Sequence, residues 1–472
     1  MSRERTITDF TSGSIMRHLL TFSAPLFLGN LLQALYNTVD SIWVGRFLGA
    51  GALGAVSLSF PIVFTLISLA VGLSMATTVL VSQHFGAGNT AMVRRTVYTS
   101  IAFLGVLGAV TSVIGVVVHR PLLRLVNTPP DVMPMAAGYL WIYSAGLTFT
   151  FLYNVLGAIY RGLGDSRSPV EVLAYATVLN MILDPLMIFG VFPFPEMRVA
   201  GAAWATVISQ AFSVYLLLRR LGRLGYPVSL SGDPCGDGWV IDRGIIRLIL
   251  RIGLPSGAQQ TLVALSAMAV MGVVNSFGSS VLAAFGAGTR LDQFALMPSM
   301  SISLAVSTMV GQNIGAGRFD RVGETVRVAS ILAASIAAAV AVVALIRPTL
   351  LLALFTQDRE VLTVGSNYLR IVGASYIPFA LMFVANGALR GAGDTVPTMF
   401  NSLAALWLVR VPLAWVLSRL PSLGSSGIWL SVAAGQVVGM VLAWSYYLRG
   451  GWRKKAIAVR PREHASPADP EY

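Results

Sequence analysis

The run from Asn180 to Pro185, "NMILDP", places an amide, a carboxylate and a helix-breaking imino acid inside "VEVLAYATVLNMILDPLMIFGVF", a stretch otherwise apolar enough for lipid. Thr177, Asn180 and Asp184 are spaced to share one face of a helix. Pro185 lacks an N–H and leaves the carbonyl of Met181 without its helical partner. A second set lies in "NLLQALYNTVD", where Gln33, Tyr36, Asn37 and Asp40 recur at i, i+3, i+4 and i+7, one polar stripe on an apolar helix. An ionised acid in a membrane helix costs about 2.5–3.5 kcal/mol on insertion scales, so such residues mark ion or proton paths. Two acids brought close cannot both be charged cheaply; the pair would hold a proton, or a cation that neutralises it. Asp40 and Asp184 with Asn180, Thr206 and a freed carbonyl offer the hard oxygen atoms that a sodium ion accepts. The competing reading is that both acids merely pair with Tyr and Asn side chains for packing.

Composition sets the surroundings of these residues. The chain has 472 residues, 55% hydrophobic and only 11% charged, where a soluble domain would carry about a quarter of charged residues. Apolar runs long enough for a bilayer core of about 30 Å recur along it. Twelve spans are expected near 15–41, 52–82, 93–119, 132–160, 169–190, 199–222, 247–275, 281–311, 322–346, 360–389, 396–417 and 426–448. The polar start "MSRERTITDFTSGS" lacks a small-residue cleavage site after a short apolar core, so the first span is expected to be retained. The net charge of +13 is distributed by topology and calls for no nucleic acid. Arg94, Arg95, Arg161, Arg219, Arg220, Arg318, Arg321 and Arg390 fall on the side of the termini; only Arg46, Arg120, Arg124, Arg198, Arg347, Arg359 and Arg419 fall on the other. That bias predicts both termini in the cytoplasm. The single cysteine, Cys235, permits neither an intrachain disulfide nor a thiolate metal site.

The chain also repeats itself. "VSQHFGAGNTAMVRRTV" from Val81 returns as "VGQNIGAGRFDRVGETV" from Val310, with eight identities in seventeen at an offset of 229. The same offset pairs Tyr139 with Tyr368 and Asp165 of "YRGLGD" with Asp394 of "LRGAGD". Gly201 meets Gly427 with a small shift, and Pro25 meets Pro255. The expected organisation is a six-helix lobe over 1–222, a linker over 223–246, a second six-helix lobe over 247–448 and a basic tail over 449–472. An even number of spans per half makes the repeats parallel, as in transporters whose substrate site lies between two halves. The "GAG" and "RGLGD"/"RGAGD" segments read as helix-ending turns, where glycine supplies positive φ.

Duplication is its own control. Val270 stands near the place of Asp40, and "LAALWLVRVPL", the counterpart of the Asp184 span, holds no acid. Asp40 and Asp184 fall late in spans running outward, Tyr139 and Thr206 early in spans running inward, so all four are expected at one depth, to within about a turn. Gln210 and Gln436 occupy equivalent places and read as scaffold. In the second half Arg290 and Asp292, two apart, do not face each other. Asp292 needs a partner across the lobe; it is read more as half of a structural ion pair than as a substrate contact. With Gln259, Met297 and Met300 it forms the candidate C-terminal substrate surface, the methionines lining an adaptable pocket or packing as core.

Five segments in order, "QALYNTVDSIWVGRFLG", "VSQHFGAGN", "YRGLGDSRSP", "LNMILDPLMIFG" and "RLDQFALMPSMSISLAVSTMVGQNIGAG", resemble the multidrug and toxic compound extrusion (MATE) family over nearly the whole chain. The resemblance implies an all-α integral membrane protein, twelve transmembrane helices in two pseudo-symmetric six-helix bundles set in a V. It implies a monomeric H⁺- or Na⁺-coupled antiporter in a bacterial cytoplasmic membrane, exporting small cationic amphiphilic drugs, with no cofactor beyond the coupling ion and no enzymatic activity. It further implies a cation site at Asp40, Asn180, Asp184 and Thr206, with Tyr139 and Asn154 nearby, and alternating access in which cation binding re-pairs the acids and bends the first span. Relatives with acids in the seventh and tenth spans fit less well, since those spans here hold none. Two alternatives are a flippase of lipid-linked oligosaccharides, whose basic cavity only Arg290, Arg370 and Arg410 could supply, and a membrane-embedded transferase, for which no sizeable histidine- or acid-rich loop exists.

Overall fold

The computed structural model describes residues 7–226 and 241–457, and no strand occurs among them. Most of the linker with Cys235, the terminal arginines Arg3 and Arg5, and the tail arginines Arg460 and Arg462 lie outside the described residues. The first half holds α1 (Ile15–Leu48), α2 (Ala50–Gly86), α3 (Thr90–Leu125), α4 (Met133–Ala145), α5 (Leu147–Gly162), α6 (Arg167–Phe189) and α7 (Val199–Arg223). The second holds α8 (Arg243–Asn275), α9 (Ser279–Gly315), α10 (Phe319–Ile346), the short α11 (Pro348–Leu352), α12 (Arg359–Gly373) and α13 (Tyr376–Gly391). It ends with α14 (Thr395–Leu403), a π-helical turn (Ala404–Arg410), α15 (Val411–Leu417) and α16 (Ser426–Leu448).

Among the described residues, ten helical segments, α14 to α15 counted as one, are long and apolar enough to cross a membrane, and two bent pairs bring the number to as many as twelve. The bent pairs are the spans expected at 132–160 and 360–389: α4 meets α5 at 47° and α12 meets α13 at 46°. At the first bend a Cβ on Gly146 would stand 2.3 Å from Val207, so α7 approaches closer than any other residue would permit. Each bend is braced by a duplicated glutamine. Thr150 donates to Gln210 at 2.5 Å, and Ser375 donates to Gln436 at 2.8 Å.

Packing does not respect the division of the sequence into halves. Ile15, Leu19, Phe22 and Leu26 of α1 belong to the apolar core built by α9, α10 and α13. Reciprocally, Ile245, Ile249 and Ile252 of α8 belong to the core of α2, α3 and α5. The lobes thus exchange their first helical turns at the end of the bundle that carries the termini. Two glutamines with the repeat spacing close this end. Gln83 of α2 donates to the carbonyl of Gly391, and Gln312 of α9 donates to the carbonyl of Gly162, at 2.9 and 3.2 Å. Each glutamine oxygen then accepts a terminal backbone N–H, that of Ile457 on Gln83 and that of Phe10 on Gln312, both at 2.9 Å. Arg321 reaches the carbonyls of Phe10, Ser12 and Gly13, which straps the N-terminal segment to α10.

The "GAG" glycines prove to have two uses. Gly88 and Gly317, with φ of 71° and 70°, end α2 and α9 in the left-handed turn expected of them. Gly86 and Gly315, two residues earlier, let the lobes touch: a Cβ on either would stand 1.9 Å from the carbonyl oxygen of Gln312 or Gln83. Gly315→Ala should therefore force two backbones apart and lower stability by about 1–3 kcal/mol. Gly323→Ala, in α10 with open space around it, should instead gain about 0.5–1 kcal/mol. Thermal unfolding midpoints of the two variants in detergent check this; equal shifts would contradict the close approach.

Candidate functional site

Asp184 and Asn180 sit on the inner face of α6, 0% and 1% exposed. From the polar stripe of α1, Tyr36 and Asp40 approach them, and α7 supplies Thr206. Asn180 Nδ2 donates to Asp184 Oδ1 at 3.3 Å, and Tyr36 donates its hydroxyl to Thr206 at 3.1 Å, tying α1 to α7. Asp40 lies near enough to Asp184 for their charges to interact, and both act on Tyr36 of α1 and Tyr139 of α4. Tyr139 stacks on Tyr143 with ring centroids 6.0 Å apart. Four helices thus bring two carboxylates, an amide, a hydroxyl and two phenols to one place.

The satisfaction of these groups is incomplete. Asp40 Oδ1 and Asp184 Oδ2 are buried and accept no hydrogen bond from the protein. A buried carboxylate oxygen without a donor is costly when charged. Pro185 lies inside α6, which continues to Phe189. From the end of the bundle opposite the termini, a cavity of about 560 Å³ reaches Tyr139 between Phe47, Met135, Ile188 and Val199. Glu196 and Arg198, paired at 2.9 Å, stand among its lining residues.

Other expected residues are less directly involved. Thr177 is buried and turns its hydroxyl to the carbonyl of Leu173. Gln33 and Asn37 are exposed and bonded to each other at 3.3 Å. Asn154 bonds the carbonyl of Thr150 on its own helix. In the second lobe, Gln259 of α8 is occupied: it donates to Ser402 at 2.6 Å and accepts from Arg390 at 3.0 Å. That makes it a brace between α8, α13 and α14 rather than an open contact. Met297 is buried and Met300 exposed. Arg290 and Arg370 are exposed, so neither joins Arg410 in a buried basic pocket.

Asp292 finds the partners it needs across the lobe, and they are tyrosines rather than the expected ion pair. Tyr376 donates to Oδ1 at 2.5 Å and Tyr368 donates to Oδ2, with the charge of Arg410 acting on Asp292 and on Tyr368. Tyr376 carried no signal in the sequence. Tyr368 did, through its pairing with Tyr139.

Known proteins resemble the chain throughout. The MatE family model matches residues 25–186 and again 255–416. The probable multidrug resistance protein YoeA of Bacillus subtilis is 34% identical over 458 residues, 97% of this chain and 98% of that protein. The FAD transporter of Shewanella oneidensis is 27% identical over 412 residues, 85% of this chain and 88% of that one. A solved outward-facing multidrug resistance MATE family transporter superposes with a TM-score of 0.87 at 22% identity, covering 96% of this chain and 100% of the other, a likeness of fold.

The bond from α1 to α7 is open to a double-mutant cycle. Tyr36→Phe and Thr206→Val should each destabilise the protein, and the pair should show a coupling of about 0.6 kcal/mol, as is usual between membrane helices. Additive effects in detergent unfolding would mean that the two hydroxyls do not meet.

Proposed function

The chain belongs to the MATE family of multidrug efflux transporters, and we propose that it is an H⁺- or Na⁺-coupled antiporter that exports cationic lipophilic compounds by alternating access. The observation that carries this reading is the pair of carboxylates, Asp40 and Asp184, each with a buried oxygen that no protein group satisfies. Asn180 and Thr206 complete the oxygen-rich surroundings, with Tyr36 and Tyr139 as walls. The positive-inside bias supports a cytoplasmic location for both termini. The cavity that reaches Tyr139 then opens outward, toward the side from which a coupling ion descends its gradient.

The site is coupled to movement through α1. The first half of this helix is anchored in the opposite lobe: Phe10, just before it, meets Gln312, and Asn30, near its middle, bonds Ser301 at 3.1 Å. Further along it carries Asp40. Two ionised carboxylates on α1 and α6 repel, and a proton or cation between them removes the repulsion, so occupancy sets how closely α1 leans on α6. Bending α1 reshapes the space between the lobes where substrate would sit. In a one-for-one exchange of monovalent cations the potential, about 2.3 kcal/mol per charge per 100 mV, cancels, and each tenfold H⁺ or Na⁺ gradient, worth about 1.4 kcal/mol, sustains a tenfold substrate gradient; a second ion per cycle would add the potential.

Reconstituted protein in liposomes, at a fixed membrane potential with pH and Na⁺ varied separately, tests the proposal. Efflux of an ethidium-like cation should follow one of the two ion gradients and fall to background in Asp184→Asn. Full exchange by that variant would remove Asp184 from the coupling site. FAD belongs among the assayed substrates because of the Shewanella relative, and movement of a lipid-linked sugar instead of drug would favour the flippase.

A further inference from the structure

The duplicated chambers differ in what fills them. Each lobe places a tyrosine of the repeat, Tyr139 or Tyr368, on a bent span braced by Gln210 or Gln436. In the first lobe two negative charges act on that tyrosine, those of Asp40 and Asp184. In the second the charges of Asp292 and Arg410 act on it, beside the hydroxyl of Tyr376. Asp184 and Arg410 come from corresponding spans, α6 and the span of α14 and α15. The place of Asp40 is taken by the buried, apolar Val270.

Saturation differs in the same sense. Asp40 and Asp184 each keep an unpartnered buried oxygen, whereas both oxygens of Asp292 accept a tyrosine hydroxyl. The guanidinium of Arg410 adds a positive charge that, unlike a bound ion, never leaves and never loses its proton. Its Nε is buried without a partner, so it acts through charge rather than through a bond at that atom. The π-helical turn ending at Arg410 inserts a bulge of the kind that redirects a side chain at functional positions. Space is also taken up: Trp429 packs on Tyr368 with centroids 4.9 Å apart, where the first lobe has the small Ala203 in the matching stretch of α7.

We propose that Arg410 is a built-in counter-cation that closes the second lobe's copy of the chamber to exchangeable ions and so confines cation coupling to the first lobe. The inference rests on the reading of Asp40 and Asp184 as the coupling site. Removing the guanidinium while keeping Asp292 should therefore create a cation site that the wild-type protein lacks.

The test counts cations bound by purified protein, as ²²Na⁺ retained and as protons taken up from an indicator dye. Asp184→Asn should bind none, Asp184→Asn with Arg410→Met should regain about one per chain at saturation, and adding Asp292→Asn should abolish the gain. A folded double variant, with an unchanged elution profile, that gains nothing overturns the inference. A gain that survives Asp292→Asn overturns it as well. Failure of the first-lobe reading is separately visible, as cation binding that persists in Asp184→Asn alone; the increment from Arg410→Met still judges the second lobe. Should Arg410→Met not fold, Arg410→Gln, uncharged and of similar reach, replaces it in the same comparison.

Discussion

A carboxylate buried among apolar helices needs either a donor for each oxygen or a positive charge at hand. The first lobe leaves one oxygen each of Asp40 and Asp184 without either. Tyr36, Tyr139, Asn180 and Thr206 bring polar atoms close without satisfying Asp40 Oδ1 or Asp184 Oδ2. A fully satisfied pair would be a strut. Under the proposed coupling, an unsatisfied pair is a site whose compensating charge comes from outside.

The two lobes are also tied together by a crossing of helices. The first turns of α1 are built into the core of the second lobe and those of α8 into the first. Gln83 and Gln312 hold the same end shut by reaching reciprocally across to Gly391 and Gly162. Glycines at 86 and 315 remove the Cβ atoms that would keep the backbones apart. Under the proposed coupling, a helix fixed at one end and carrying a titratable group further along would convert a local change of charge into an angle.

Symmetry of scaffold and asymmetry of content therefore answer different needs. The bends, the bracing glutamines and the glycine contacts recur in both halves because both must pack as six-helix bundles. The acids do not recur. Around Tyr368 the second lobe sets Asp292 between two tyrosines, with the charge of Arg410 acting on it.

Much of this was legible in the residues. Hydropathy and helical period are local properties, so the spans, the polar stripe from Gln33 to Asp40 and the shared face of Asn180 and Asp184 could be read directly, and direction of travel placed Asp40, Asp184, Tyr139 and Thr206 at one depth. What could not be read were pairings between distant positions. Asp292 was expected to close an ion pair and instead takes hydroxyls from Tyr368 and Tyr376; Gln259, a possible substrate contact, is spent on Ser402 and Arg390; the "GAG" motif, read as a turn, also seats one lobe on the other. The sequence alone determined class, repeat and the helices that bear the acids, because each follows from the order of apolar and polar side chains along a helix. Tertiary structure decided which polar atoms stay unsatisfied, because a hydrogen bond depends on where two backbones come within about 3 Å, and that distance is set by the packing of all the helices together.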